Sequence, residues 1–427
     1  MIDIKLIREN PSLVKENIKK KFQDAKIALV DEFLEKDKKK REMIQEAQRL
    51  RQRRNELSKE INELKKKGKK AEEQLAEAKD IPEKIKEIED NQLLIDARLK
   101  EILYQIPNII HKSVPIGKDD SENVVREVVG KPKKFKFEVR SHAELAEELG
   151  VADFETSAET SGKGFYYLKG DLARLNMALI NFARDYMVEQ GYEYIEPPLM
   201  IKEEVLRGVY SAKEISEMSY KIEGEDLFLI ATSEHPLIGM FIGKTLNKED
   251  LPIRITGYSA CFRKEIGSHG IDEKGLYRTH QFNKQEMIVI CEPEDSYKFY
   301  DEMIGHSKEI FKRLGLPFRE RECCSGDLAD LKAKSADLEV WSPRKNDYFE
   351  VTSCTNMEAA QARRLNIKIT DGKEKYFAHT LNNTVIATSR ALVGILENNQ
   401  NADGSITVPK VLIPYMNGLK VIKRKSK

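Results

Sequence analysis

The chain has 427 residues, 34% of them charged, 40% hydrophobic and 7% aromatic, a length that suits two or three domains of ~100–200 residues each. No apolar run reaches the ~18–20 residues needed to span a bilayer, and the opening MIDIKLIREN lacks the apolar stretch of a signal peptide. Five cysteines, Cys261, Cys291, Cys323, Cys324 and Cys354, form no C-x-x-C pair, which argues against a disulfide framework and a four-thiolate zinc site. A cytoplasmic protein with no membrane partner is expected.

Lys and Arg number 73 and Asp and Glu 72, a formal charge of +1, but the balance is local. Residues 36–70 carry 15 basic and 6 acidic side chains, a net +9, and residues 71–101 carry 5 and 10, a net −5. The same region is periodic. Met43, Ala47, Leu50, Arg54, Leu57, Ile61 and Leu64 recur at alternating spacings of four and three, as do Ala78, Ile81, Ile85, Ile88, Gln92, Ile95, Leu99 and Ile102. A repeat of about 3.5 residues keeps one seam facing a partner helix. Between the series, Lys65-Lys66-Lys67-Gly68-Lys69-Lys70 is too polar to pack and offers a glycine for a turn, so two antiparallel helices are predicted, each reaching about 50 Å. Pro82 should start the second helix or kink it. The charges could simply be two solvated faces that neutralise each other. Lysines clustered at the tip of a long lever are not needed for packing, however, and suit a polyanion.

The period ends near Ile106-Pro107-Asn108, and Val114-Pro115-Ile116-Gly117 reads as a linker. Residues 171–190 form an amphipathic pattern, followed by Gly191-Tyr192 and the strand-like Tyr194-Ile195-Glu196-Pro197-Pro198. Short apolar strands then recur at Leu227–Ile230, Ile253–Tyr258, Met287–Ile290 and Tyr348–Thr352. Strands without strict βαβ alternation predict an α+β fold with a largely antiparallel sheet. Neither GxxxxGK[ST] nor GxGxxG stands between a strand and a helix, which disfavours P-loop and Rossmann sites.

Three clusters hold the polar residues that look chemical: Thr232-Ser233-Glu234-His235-Pro236; Cys261-Phe262-Arg263-Lys264-Glu265 through Gly275-Leu276-Tyr277-Arg278-Thr279-His280-Gln281-Phe282 to Glu286; and Glu350-Val351-Thr352-Ser353 with Thr380-Leu381-Asn382-Asn383-Thr384 and Ser389-Arg390. An Arg and a Glu two apart on a strand share a face, where guanidinium grips phosphate or carboxylate and the carboxylate accepts from an amine. Such a pair alone is common on surface strands. His111, His142, His269 and His306 read as surface or packing residues, and Cys323-Cys324 as buried thiols.

In this order and spacing the clusters resemble the seryl-tRNA synthetases, within the class II aminoacyl-tRNA synthetases. Gly191-Tyr192 to Pro197-Pro198 matches class motif 1, the Phe262–Glu286 cluster motif 2, and Thr380–Thr384 with Arg390 and Leu396-Glu397 the motif 3 region. The resemblance covers essentially the whole chain. It implies a helical tRNA-binding domain at 1–110 with its arm at about 29–103, a linker with the start of the catalytic domain at 111–170, and a class II catalytic domain at 171–427 built on a six- to eight-stranded antiparallel sheet flanked by helices.

It implies equally an ATP-dependent ligase that joins L-serine to tRNA(Ser), and allows tRNA(Sec), with AMP and diphosphate as products. Arg263 would grip the ATP α-phosphate, and Glu265, Lys264 and Thr279 would line the nucleotide. Phe282 would stack on adenine beneath Arg390. Glu350 and Ser353, with Val351 and Thr352 beside them, would hold Mg²⁺ on the phosphates. Thr232, Ser233 and Glu234 would receive the serine ammonium and Glu286 its hydroxyl, and Asn382 and Thr384 would close the pocket. No zinc is expected. Arg49, Arg51, Arg53, Arg54, Lys65, Lys66, Lys67, Lys69 and Lys70 become the candidate RNA contacts of the arm, and a homodimer is implied, with Pro197 at its interface. Besides the motif 3 run Thr384-Val385-Ile386-Ala387-Thr388-Ser389-Arg390, which lacks the glycines typical of class II enzymes, two departures from the family pattern stand out: Gly164 where an arginine often precedes Phe165, and Gln285 where an aliphatic residue often precedes Glu286. The alternatives are a class II paralogue activating an amino acid for another carrier, and a coiled-coil RNA-binding scaffold with a decayed catalytic domain.

Overall fold

A computed structural model describes residues 1–265 and 275–424, in two compact units, Met1–Ile109 and Ile110–Lys427. In the first, Asp3 caps helix α1 (Ile4–Glu9), and Asn10 caps α2 (Pro11–Lys20) by accepting from Leu13 N at 3.1 Å, with proline at the first helical position. The arm is α3 (Ile27–Lys66) and α4 (Glu72–Gln105). At its tip Gly68, with φ +67°, lets Lys69 N reach Leu64 O at 3.0 Å and Gly68 N reach Lys65 O at 3.1 Å, so the last carbonyls of α3 are satisfied.

The seam is present but shorter in its dry part than the pattern implies. Ala47, Leu57, Ile81, Ile85, Leu99 and Ile102 are buried, whereas Arg54 is exposed. Polar pairs close the rest: Arg53 Nε and Nη2 each lie 2.8 Å from a Glu77 oxygen, Arg51 lies 2.6 Å from Glu89, and Arg98 grips Glu32 at 2.7 and 2.8 Å. Pro82 neither starts nor ends the helix. The second helix begins ten residues earlier, at Glu72, and runs through the exposed proline. Ala78, Ile81 and Ile85 pack with Leu50 and Leu57 on both sides of it, and this packing outweighs the missing hydrogen bond. At the base, Ile7, Val14, Ile18, Val30 and Phe33 form a separate core with Leu99, Ile102 and Leu103.

In the second unit the elements used below are β1 (Val124–Val129), α5 (His142–Glu148), α6 (Gly170–Glu189), β2 (Glu193–Tyr194), α7 (Glu234–Gly239), β3 (Ile253–Phe262), β4 (Gln281–Cys291), α8 (Ser296–Leu314), β5 (Phe318–Glu322), β6 (Lys334–Ser342), β7 (Asp347–Asn356), α9 (Ala359–Leu365), β8 (His379–Ala387) and α10 (Thr388–Asn398). Eight strands form one sheet in the order β1-β5-β6-β7-β8-β4-β3-β2, antiparallel throughout except for the β2–β3 pair at one edge. The edge strand β1 comes from the segment read as a linker. Alternation along β4 shows how the layers form. Met287, Val289 and Cys291 enter the main core with α6, α8 and α10, whereas Ile288 and Ile290 enter a second core with α7 and α9. Phe282, Lys284 and Glu286 continue that second face into an open cleft.

Candidate active site

The cleft has a volume of about 490 Å³ and opens on the sheet face formed by β4, β7 and β8, with α10 beside it. Thr232, Glu234, Arg263, Glu265, Thr279, Phe282, Glu286, Glu350, Val351, Ser353, Asn382, Thr384 and Arg390 line it together. Three predicted residues do not. Ser233 is wholly buried, Thr352 faces the core at 2% exposure, and Lys264 turns outward to donate to Ser216 O at 3.3 Å.

Two irregularities in the ladder set this geometry. In β7, Thr352 pairs with Leu338 and Glu350 with Glu339, so Val351 is an extra residue. Such a bulge reverses the alternation and puts Glu350 and Ser353, three apart, on the cleft side. In β8, Thr384 pairs with Glu286 and Ile386 with Gln285, leaving Val385 extra. Asn382, Thr384 and Ala387 therefore all face the cleft.

The inner end of the cleft is acidic. Thr384 Oγ1 donates to Glu286 Oε1 at 3.1 Å and Thr232 Oγ1 at 3.4 Å, while Lys284, two residues back on the same strand face, forms an ion pair with the same oxygen. Glu234 Oε1 accepts from Asn382 Nδ2 and Gln361 Nε2, each at 3.1 Å, and Thr380 orients Gln361 in turn with a 2.8 Å bond. Burial, and then the Glu286 charge, push the Glu234 carboxyl up to about 7. Burial likewise holds neighbouring His235 down at about 3, in its neutral form.

The outer end is basic and aromatic. The Arg263 guanidinium lies 5.1 Å from the Phe282 ring centre and donates from Nε to Ala231 O at 3.2 Å. Arg390 lies 5.3 Å from the Tyr277 ring centre and binds Glu350 through Nη1, to Oε1 at 3.0 Å and to the carbonyl at 3.1 Å. Loss of water would raise the Glu350 carboxyl, but Arg390, Lys332, Arg263 and Lys284 outweigh it and hold the carboxyl below its ordinary value. Arg278 is 3.8 Å from Glu265. One cleft thus offers two carboxylates, Glu286 buried and Glu234 half-buried, to an ammonium group and two guanidiniums to phosphates.

Both departures from the family pattern have a structural setting. Gly164 has φ +85°, its carbonyl takes the His280 N–H at 2.9 Å, and a Cβ there would stand 2.6 Å from the His280 ring, so glycine fits and a larger residue does not. Gln285 faces away from the cleft and donates to Thr256 Oγ1 at 3.0 Å. His142 is not a surface residue: it is buried against Glu397. His269 lies outside the described residues. The five thiols are free and buried. Among the residues that sequence reasoning passed over, Lys284 was detectable from its two-residue offset to Glu286. Gln361 and Lys332 reach the site through folding alone.

A mostly antiparallel sheet that presents Phe282, with Arg263 at the end of β3 and Arg390 on the adjoining helix α10, over one cleft defines a class II aminoacyl-tRNA synthetase. Residues 218–399 match the family described as tRNA synthetase class II core domain (G, H, P, S and T), and residues 1–110 match the seryl-tRNA synthetase N-terminal domain. A serine--tRNA ligase of Methanocella arvoryzae is 47% identical, over 99% of this chain and 100% of the relative, and one of Thermococcus sibiricus is 43% identical, over 97% and 96%. The crystal structure of seryl-tRNA synthetase from Pyrococcus horikoshii complexed with ATP superposes with a TM-score of 0.96 at 40% identity, covering 100% of both chains. A prolyl-tRNA synthetase of Giardia lamblia, with a TM-score of 0.56 at 17% identity over 66% of this chain and 58% of its own, shares the fold. The chain belongs to the seryl-tRNA synthetase family.

Proposed function

We propose that this ATP-dependent ligase joins serine to ATP within the cleft and then to tRNA, with its residues in the following roles. The observation that carries the reading is the division of charge: half-buried Glu234 and buried Glu286 at one end, Arg263 and Arg390 at the other. A zwitterionic amino acid and a polyphosphate fit that division in one orientation, ammonium inward and carboxylate toward the α-phosphate. Glu234 and Thr232 receive the ammonium, and Glu286 receives the hydroxyl. Arg263 holds the α-phosphate while a serine carboxylate oxygen attacks phosphorus and pyrophosphate leaves. Phe282 supports adenine, Glu265 and Thr279 border the nucleotide, and Arg390 reaches the terminal phosphate. A ribose hydroxyl of the tRNA end then attacks the seryl carbonyl and releases AMP. No covalent nucleophile is needed, only fixed cations and in-line placement.

Glu350 and Ser353, brought to one face by the β7 bulge, would hold Mg²⁺. Among the described residues no cluster of three or more His, Cys, Asp or Glu could hold a metal unaided. One carboxylate and one hydroxyl suit an ion that takes its remaining ligands from water and phosphate. Bound there, Mg²⁺ supplies charge neutralisation to the departing pyrophosphate.

Pairing the substrate hydroxyl with Glu286 discriminates against alanine, which brings no donor and leaves the carboxylate with only Thr384, Thr232 and Lys284 as partners. Thr384 and Asn382 exclude the extra methyl of threonine by contact, worth roughly 1–3 kcal/mol in a yielding pocket. The arm reads the shape and phosphates of tRNA(Ser), and the same reading extends to tRNA(Sec). The enzyme acts as a cytoplasmic homodimer. Leu199 and Met200 beyond the motif 1 prolines are 42% and 46% exposed and offer apolar surface to a partner, whereas Pro197 is buried within its own chain. Among the described residues no helix is long and apolar enough to cross a membrane.

ATP–pyrophosphate exchange across serine, threonine, alanine and glycine, followed by charging of tRNA(Ser) and tRNA(Sec) transcripts, tests this function. Exchange with an amino acid other than serine at comparable kcat/KM would favour the paralogue.

A further inference from the structure

Helix α10 grips the segment Gly275–Thr279 at two points. Arg390 stacks on Tyr277 at 5.3 Å. Two helical turns later, Glu397 Oε1 lies 3.0 Å from His142 Nδ1, and His142 Nε2 accepts from Leu276 N at 3.2 Å. His142 and Glu397 are buried to 2% and 0% exposure. Ser342 donates its hydroxyl to the other Glu397 oxygen, and Arg344 Nε adds a 3.4 Å bond.

This arrangement fixes the imidazole tautomer. An ionised carboxylate only accepts, so Nδ1 carries the proton, and a backbone N–H only donates, so Nε2 is bare. The approach is also close. Gly275 has φ +126°, and a Cβ there would stand 2.3 Å from His142 Nε2. His142 lies far from the cleft chemistry in sequence, yet it touches the main chain beside Tyr277, Arg278 and Thr279, which line the cleft.

We propose that His142 is a positioning residue for ATP: it transmits the placement of Glu397 on α10 to the Leu276 amide and thereby sets where Tyr277, Arg278 and Thr279 meet the nucleotide. This rests on the reading of the cleft as the ATP site. The relay separates nucleotide binding from serine binding, because Glu234, Glu286, Thr232 and Thr384 belong to other segments.

Two substitutions divide the imidazole's two bonds. His142→Gln places a carbonyl near the position of Nε2 and keeps an acceptor for Leu276 N–H; His142→Asn keeps a donor near Nδ1 and loses that acceptor. In pyrophosphate exchange with the full-length enzyme, His142→Asn is expected to raise the ATP KM about tenfold, and His142→Gln, which keeps the Leu276 acceptor but loses the Glu397 bond, about threefold, with the serine KM changed less than about twofold in both. Equal behaviour of the two variants, or equal rises for ATP and serine, would overturn the proposal. Should His142→Asn not fold, Glu397→Gln carries the test. Its amide oxygen keeps the place facing His142 Nδ1 and Arg344 Nε, but the carboxylate charge that anchors the ring is lost, so an ATP-selective rise is expected and an unchanged ATP KM refutes the relay. Arg263→Ala in the same assay reports on the cleft itself: normal exchange there means that the site reading fails, whereas lost exchange with unaltered His142→Asn and Glu397→Gln kinetics means that only the relay fails.

Discussion

Thr384 and Glu286 stand opposite each other on paired strands, and the Thr384 hydroxyl donates to Glu286 Oε1 at 3.1 Å. Thr232 and Lys284 converge on the same oxygen. Glu286, the group proposed to receive the serine hydroxyl, is thus also the counter-charge of a lysine whose side chain is 13% exposed. Glu286→Gln should lower kcat/KM for serine about 10²–10³-fold and narrow the margin against alanine. It also strands the Lys284 charge, at a cost of about 3 kcal/mol. Exchange assays with both amino acids and thermal melts check the two effects separately.

Glu234 sets a pH dependence. Its carboxyl is raised from 4.5 to about 7 by burial and then by Glu286. Between those values the folded protein holds a proton that the unfolded chain has lost, so the contribution of this group to stability is greatest at the acid end and falls as pH rises. Binding runs the other way, because the ammonium needs the carboxylate. The serine KM should rise about tenfold per unit as pH drops below about 7, with a smaller change in the ATP KM. A serine KM that stays flat from pH 8 down to roughly 5.5 would remove Glu234 from ammonium recognition.

Arg263→Ala should cost about 3 kcal/mol in adenylate formation. Its Nε bond to Ala231 O is a single contact at the cleft wall, so the melting curve should remain in place. Single-turnover adenylate formation measured beside calorimetry shows whether the loss lies in chemistry or in folding.

Replacing residues 43–92 of the arm by a short glycine–serine link should leave serine activation intact and abolish tRNA charging. The cut spares Val30, Phe33, Leu99 and Ile102, which belong to the basal core. Charging that survives at the parent rate would leave the arm without its proposed role.

The heptad seam and the ordered motifs were legible because apolar spacing and residue type determine them locally. Pro82 does not start the helix, the first of the two outcomes expected of it, because a local rule about a missing donor is outweighed by packing of Ile81 and Ile85 against Leu57. The shared face of Glu350 and Ser353 could not be read from strand alternation, since it depends on a bulge at Val351 that only pairing with β6 reveals. Thr352, next to Ser353 and two residues from Glu350, points into the core for the same reason. Gln361 bonds Glu234 across a gap of 127 residues, a distance at which no periodicity carries information.

The ion pairs along the arm limit how RNA can use it. Arg51 and Arg53 are held by Glu89 and Glu77, Arg49 lies 3.0 Å from Glu46, and Lys70 lies 3.2 Å from Glu72. A phosphate approaching any of these must displace a carboxylate and releases little bound salt in doing so. Arg54, Lys65, Lys66, Lys67 and Lys69 stand exposed and shed small anions or counterions directly. The ionic-strength dependence of tRNA affinity should therefore follow a log–log slope of roughly −3.5 to −4.5, set by these five side chains, and not the steeper slope of roughly −6 to −8 that all nine candidate cations would give.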